Sequence, residues 1–250
     1  MIIIEKRNDI LLVTLNRPEK RNSLHPDMIQ ALGDALSDVA KDSSVKVLVI
    51  NGAGKSFCAG LDLHHLITLD ADDKAEYMRT LFELFRQIYT LPQPVIASIN
   101  GPAIAGGFDL AAFCDIRICS SAAKFAQTEV LLGVTQIMYP LYKIIGLSRA
   151  KELAMTGDVI DADEAFRIGL VNHLYPAEEL MERTMALAEK LAARPREALF
   201  ETKSLSRDLI ELGTDEAFDR MFRAIEIRLF SDEHRQEVEK YVERMKRKRD

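Results

Sequence analysis

The residues whose types and spacing suit chemistry are two carboxylates and two glycine turns. Asp109 follows Gly106-Gly107-Phe108, and Glu129 lies further along the same region. A close pair of carboxylates can divide acid and base roles, because the charge of one raises the pKa of the other. The first turn runs from Gly52 through Gly54-Lys55-Ser56 to Gly60. The second runs from Gly101-Pro102 to Gly106-Gly107. Glycines there let another molecule approach the backbone closely. Free amides at a helix start form a small positive pocket suited to an oxyanion. One amide from each turn, aimed at one carbonyl oxygen, would stabilise the anion formed when that carbonyl is attacked or its α-carbon deprotonated. Losing one such donor typically costs ~3–4 kcal/mol of transition-state stabilisation. A plainer reading fits the same residues, with Asp109 as a favourable first-turn carboxylate and Glu129 as a surface residue. The residues by themselves leave both readings open.

The elements that must position these groups are legible from periodicity. β-branched residues at 95–99, bounded by Pro94 and Gly101, predict a buried strand. A helix is predicted over 108–113, with Gly106 and Gly107 at or just before its start. A second buried strand at 45–50 feeds the first glycine turn and a short helix over 61–66. Gly54-Lys55-Ser56 invites a phosphate-loop reading, but that motif needs glycine where Val49 stands. Residues 2–7 and 10–15 predict a hairpin around Asn8-Asp9. Amphipathic helices are predicted over 26–41, with Pro26 at the first position, and over 73–90, stopped by Pro92. Strands follow at 115–119, 124–126 and 170–174. Ser148 is the expected cap of a helix to Met155, and Asp161 opens another that Gly169 ends. A loose repeat of strand, glycine turn and helix occurs at 45–66, 95–113 and 115–133. From Pro176 the pattern is helical only. The chain therefore divides into an α/β core over 1–175 and a helical region over 176–250.

The chain has 250 residues, of which 48% are hydrophobic, enough for one globular core with an appendage. A net charge of -6 argues against nucleic acid as a partner. Cys58, Cys114 and Cys119 have no ligand-like spacing and predict buried thiols in a reduced compartment. Met1-Ile2-Ile3-Ile4-Glu5 lacks the form of a signal peptide, and no apolar run approaches the ~18–20 residues of a membrane span. The expectation is a cytoplasmic protein with no membrane partner. His25, His65, His173 and His234 show no metal-ligand pattern. Residues 244–249 form a basic tail.

Five sequence blocks resemble the crotonase superfamily, the enoyl-CoA hydratase/isomerase family. They are Leu15-Asn16-Arg17-Pro18-Glu19-Lys20-Arg21-Asn22, the run from Gly52 to Leu63, Asn100-Gly101-Pro102-Ala103 through Asp109, Cys114-Asp115-Ile116-Arg117-Ile118, and Asp161 through Asn172. Their order and spacing extend the resemblance over nearly the whole chain. It implies a spiral of ββα repeats with a C-terminal helical trimerisation region, assembled as a homotrimer or a dimer of trimers. It implies coenzyme A thioesters as substrates and no separate cofactor or metal. The oxyanion-hole amides would be those of Leu61 and Gly106. Asp109 falls where hydratases carry their first catalytic glutamate, and Glu129 where they carry the second. The expected substrate contacts are Lys20, Arg21, Ser23, Leu24, Ala59, Asp62, Leu63, His64, Gly107 and Leu132.

The resemblance has departures. Aspartate replaces glutamate at 109, as in dienoyl-CoA isomerases of the family, yet their further aspartate is Ile137 here. Thr128 replaces the usual proline before the glutamate. The usual Pro-Gly-x-Gly-Gly-Thr run after Gly133 is replaced by Val134-Thr135-Gln136-Ile137-Met138-Tyr139-Pro140. His64 replaces a frequent lysine, and the C-terminal phenylalanine that packs on adenine has no match in Met245-Lys246-Arg247-Lys248-Arg249. The expected activity is hydration of a 2-enoyl-CoA. The alternatives are a Δ3,Δ2-enoyl-CoA isomerase using Glu129 as proton shuttle, and a non-catalytic scaffold that binds CoA esters.

Overall fold

A computed structural model describes residues 1–247. The chain opens with β1 (Ile2–Arg7) and β2 (Ile10–Leu15), the expected antiparallel hairpin, followed by α1 (Pro26–Lys41). Next come β3 (Val47–Gly52), the single-turn α2 (Leu63–Leu66) and α3 (Ala71–Thr90). After these stand β4 (Val95–Ile99), the short β5 (Ala103–Ile104) and α4 (Gly106–Phe113). Then follow β6 (Ile116–Ser120), β7 (Lys124–Ala126), a helical turn at Glu129–Leu132, α5 (Leu141–Ile145) and α6 (Leu147–Thr156). The core ends with β8 (Ile160–Asp161), α7 (Ala162–Arg167) and β9 (His173–Tyr175). Four helices complete the described residues: α8 (Leu180–Ala192), α9 (Arg196–Asp208), α10 (Thr214–Leu229) and α11 (Asp232–Arg247). The expected basic tail lies in α11 as far as Arg247, and Lys248 and Arg249 fall outside the described residues.

One sheet runs β1-β2-β3-β4-β6-β9, parallel throughout except for β1. The other runs β5-β7-β8. The pairs β4-β5 and β6-β7 thus each place one strand in the large sheet and the next in the small one, as in the ββα winding that the resemblance implies. Parallel strands covered on both faces are apolar throughout, and every residue of β4 is buried. One face receives α1 and α3 through Met28, Leu32, Leu36, Leu81, Phe85 and Ile88. Each such fully buried side chain contributes about 1.5–3 kcal/mol. Phe85 stacks on Phe113 with ring centroids 5.0 Å apart, which joins α3 to α4. The other face receives α8, whose Leu180, Ala188 and Ala192 pack on Ile10, Leu12, Val47, Val49, Ile96 and Ile118. The first helix of the C-terminal region therefore covers the sheet.

Two local expectations are corrected. Ser148 does not cap a helix: α6 already begins at Leu147, with Gly146 at φ 78° before it, so Ser148 is inside the first turn. The last strand begins at His173 rather than 170, because the amides of Leu170 and Val171 turn back to the Ala165 carbonyl at 2.9 and 3.3 Å. Asp161 caps α7 as expected, accepting from the Glu164 amide at 2.9 Å.

Candidate active site

The two glycine turns are laced together. The amides of Phe57 and Cys58 both donate to the carbonyl of Pro102 at 3.1 Å, and the Ile104 amide returns a bond to the Cys58 carbonyl at 2.9 Å. Asn100 reaches across to the Gly54 carbonyl at 2.8 Å. A third segment joins them. Asn22 is fully buried; its side chain donates to the carbonyls of Ala53 and Ser56 at 2.9 and 2.8 Å and accepts the Arg17 amide at 2.9 Å. The Leu24 amide donates to the Gly60 carbonyl at 2.7 Å.

This lacing brings the amides of Leu61 and Gly106 side by side. Gly60 has φ 82°, where a side chain is strained, and a Cβ on it would stand 2.9 Å from Ala105 Cβ and 3.0 Å from Gly106 N. From the other side, the Cβ position of Gly106 lies 3.9 Å from Leu61 N. Among the described residues neither amide has a hydrogen-bond acceptor. Gly106 opens α4, so its free amide sits at the positive end of that helix. Ala105 turns the chain into α4 at φ 53° and ψ -128°, a conformation that favours glycine. Gly107 serves packing: a Cβ there would sit 2.2 Å from the Cys58 carbonyl oxygen.

Asp109 stands in the first turn of α4 and is 1% exposed. Its Oδ1 accepts from Gln127 Nε2 at 3.1 Å, while Oδ2 is buried without a partner. Glu129 opens the helical turn after β7, half-buried, with Oε2 also buried and unpartnered. Burial pushes Asp109 well above the usual carboxylate range, the charge of Glu129 adds to this, and the Gln127 hydrogen bond opposes it. Burial likewise raises Glu129, against its own backbone amide and the Gln136 side chain. Each carboxylate therefore has one free buried oxygen, and the charge of Glu129 is felt at Asp109. The far end of α4 is fixed by Arg117, which donates to the carbonyls of Cys114 at 2.6 Å and Leu170 at 2.7 Å.

The expected substrate contacts separate into groups. Ser23 and Leu24 are buried, and Ala59 is half-buried beside Arg21, whose carbonyl its amide meets at 3.0 Å. Lys20, Arg21, Leu63 and His64 are exposed around this wall. Asp62 is engaged internally: it pairs with Arg17 at 3.0 Å and accepts the His65 amide at 3.3 Å, capping α2. Burial works to raise its pKa, but the Arg17 bond and the His65 amide prevail and hold it below the usual range. Leu132 is 61% exposed on the outer side of its turn. His65 lies against His25 and Tyr77, with centroids 4.6 and 5.8 Å away. All three cysteines are buried and free, and burial pushes the Cys58 thiol up to about 12.

Sequence reasoning missed Gln127, Gln136 and Tyr77. Gln127 is fully buried two residues beyond buried Phe125. A strand's period of two would put them on one face, so an amide just past the end of β7, in line with Phe125, was the available signal. Tyr77 stands among the apolar residues of α3, yet its hydroxyl bonds the Leu24 carbonyl. Nothing in its spacing distinguishes it from a core aromatic.

The family model described as enoyl-CoA hydratase/isomerase matches residues 5–249. A crotonyl-CoA hydratase of Syntrophomonas wolfei is 38% identical over 220 residues, covering 86% of this chain and 85% of that protein. A short-chain-enoyl-CoA hydratase of Clostridium acetobutylicum is 36% identical over 216 residues, 85% and 81% of the respective chains. The crystal structure of an enoyl-CoA hydratase from Bacillus anthracis superposes with a TM-score of 0.95 at 29% identity, covering 97% of this chain and 96% of that one. The fold is thus the crotonase fold, and the chain belongs to the enoyl-CoA hydratase/isomerase family.

Proposed function

We propose that the protein is an enoyl-CoA hydratase, adding water across the double bond of a 2-enoyl-CoA. The observation that carries this reading is the juxtaposition on α4: a free amide pair at its start, and one turn inside it a buried carboxylate with a free oxygen that feels the charge of Glu129. The thioester carbonyl oxygen lies between the amides of Leu61 and Gly106, which bind more strongly as that oxygen becomes an enolate. Water sits between Asp109 and Glu129. An ionised carboxylate takes a proton from it as its oxygen bonds to the β-carbon. The π electrons move to the carbonyl, and the other carboxylate, protonated, delivers its proton to the α-carbon. The resemblance casts Asp109 as base and Glu129 as acid. The reaction requires one proton on the pair, a state favoured by burial together with mutual repulsion. These steps need only proton transfer and amide donors, so coenzyme A enters as part of the substrate and no cofactor is invoked.

The complete burial of Asp109 favours a second reading. It keeps Asp109 neutral to higher pH, which suits a Δ3,Δ2-isomerase in which Glu129 alone shuttles the proton. The deciding assay follows the conjugated thioester absorbance with crotonyl-CoA and with a 3-enoyl-CoA. A hydratase consumes the first. An isomerase leaves it and generates absorbance from the second, and retains that activity in Asp109→Asn. Tight CoA-ester binding with no turnover of either substrate would instead indicate a scaffold.

Assembly is proposed through the C-terminal helices. Phe218, Phe222, Ile225 and Leu229 on α10 are all more than half exposed, too many apolar groups for a surface without a partner. This face suits a trimer or a dimer of trimers. Among the described residues no helix is long and apolar enough to cross a membrane. Three buried free thiols suit a reduced, cytoplasmic compartment.

A further inference from the structure

Gln136 stands in the segment that departs from the family pattern, and both polar atoms of its side chain are buried without a partner. Leaving a buried donor or acceptor unmatched typically costs about 1–3 kcal/mol, so such an amide persists where something in the site meets it. Its surroundings identify the site. The next carbonyl, that of Ile137, accepts from Gln127 Nε2 at 3.0 Å, and the same nitrogen donates to Asp109 Oδ1 at 3.1 Å. The segment is therefore tied to the catalytic carboxylate by a single nitrogen. Glu129 Oε2 and Asp109 Oδ2 are the free carboxylate oxygens there, and Gln136 also faces Glu129, opposing the rise that burial causes.

The hydrogen-bonding capacity of water shows what is missing. A water molecule between two carboxylates gives one proton toward each, which leaves two lone pairs. One lone pair must face the β-carbon to react. The other is free to rotate the molecule out of line unless a donor holds it. The ionised carboxylate offers no donor, and the protonated one directs its proton to the α-carbon. Among the described residues the buried, unpartnered side-chain nitrogens are Gln136 Nε2 and Arg228 Nε, and Arg228 belongs to α10. Gln136 is thus the donor in this cluster.

We propose that Gln136 is a third water-holding residue, whose amide donates to the nucleophilic water and fixes which lone pair meets the β-carbon. The side chain takes this role in a segment that has lost the glycine-rich run. The inference rests on the hydratase reading, and it concerns water addition alone. Removal of the α-proton needs the oxyanion amides and Glu129 but no positioned water, so Gln136 acts on it only through its nearness to Glu129.

The test is a pair of rates on Gln136→Leu. One is hydration of crotonyl-CoA. The other is exchange of the α-hydrogens of butyryl-CoA with deuterated solvent, followed by NMR. Misplacing a reactant costs on the order of 10²-fold, and hydration is expected to fall by that amount. Exchange, compared at the pH optimum of each protein, falls by much less than hydration, because it needs no positioned water and feels Gln136 only through Glu129. Gln136→Asn keeps an amide and serves as a milder variant, with hydration between the two. Parallel loss of hydration and exchange would overturn the proposal as a packing effect, and unchanged hydration in Gln136→Leu would overturn it directly. Failure of the wild type to hydrate any 2-enoyl-CoA would instead remove the hydratase reading on which the proposal stands.

Discussion

Gln127 holds Asp109 from a neighbouring strand end, its Nε2 standing 3.1 Å from Asp109 Oδ1 with both side chains buried. The bond favours the ionised form of a carboxylate that burial pushes the other way. Replacing Gln127 with leucine removes the donor, so the Asp109 pKa rises further. The acid limb of the kcat/KM profile then moves to higher pH. A hydrogen bond to a charged group contributes about 1.5–3 kcal/mol, so activity near neutrality falls roughly 10- to 100-fold. A pH–rate profile of Gln127→Leu checks this; a uniform drop with an unmoved limb would show that the bond does not tune Asp109.

Asp109 also sets a pH dependence of stability. Its folded-state pKa lies above that of the unfolded chain, so the folded protein binds the extra proton between the two values. Stability is full below the unfolded pKa and declines as pH rises through the folded one. Asp109→Asn removes this loss. It is expected to be more stable than wild type near neutral pH, by about 1 kcal/mol, with the difference vanishing at acid pH. Thermal melts of both proteins across pH measure it, and a constant difference at all pH values would contradict the assignment.

The amide pair depends on Gly60. Adding a methyl group at φ 82° forces a Cβ to within 3.0 Å of Gly106 N and 2.9 Å of Ala105 Cβ. Gly60→Ala should spread the two amides apart and lower kcat by about 10²- to 10³-fold, the usual effect of losing one oxyanion donor. A circular dichroism spectrum and melt identify a folded variant. A folded Gly60→Ala with normal kcat would show that the amides of Leu61 and Gly106 do not bind the developing charge.

The apolar face of α10 predicts association. Phe222 is 64% exposed, and a glutamate there buries a charge in any interface it joins, which typically costs several kcal/mol. Sedimentation velocity of Phe222→Glu should show a shift from oligomer to monomer. An unchanged sedimentation coefficient would place the interface elsewhere.

Much of this architecture was legible in the sequence because it depends on local periodicity and on residue types with one structural use. β4 reads directly from its run of apolar residues between Pro94 and Gly101, and α1 from Pro26 and its stripe of Met28, Leu32, Leu36 and Val39. The glycine turns were recognisable for the same reason: Gly60 and Gly107 occupy places where a Cβ has no room. The two-residue β5 was not legible, since its pairing with β7 is long-range and leaves no periodic trace. Asp62 reads equally well as a ligand contact or a cap, and the arginine that engages it stands 45 residues earlier. The amides of Gln127 and Gln136 escaped because glutamine carries no charge, and its buried role is visible only once Asp109 and Glu129 converge.

The central claim is that two carboxylates add water to a conjugated thioester held by two amides. Its most direct measurement is kcat for crotonyl-CoA hydration in wild type, Asp109→Asn and Glu129→Gln, followed as loss of the conjugated absorbance. The wild type should turn over, and each substitution should lower kcat by at least about 10²-fold, as expected when a positioned acid or base is removed. Hydration persisting near the wild-type rate in either variant would contradict the claim.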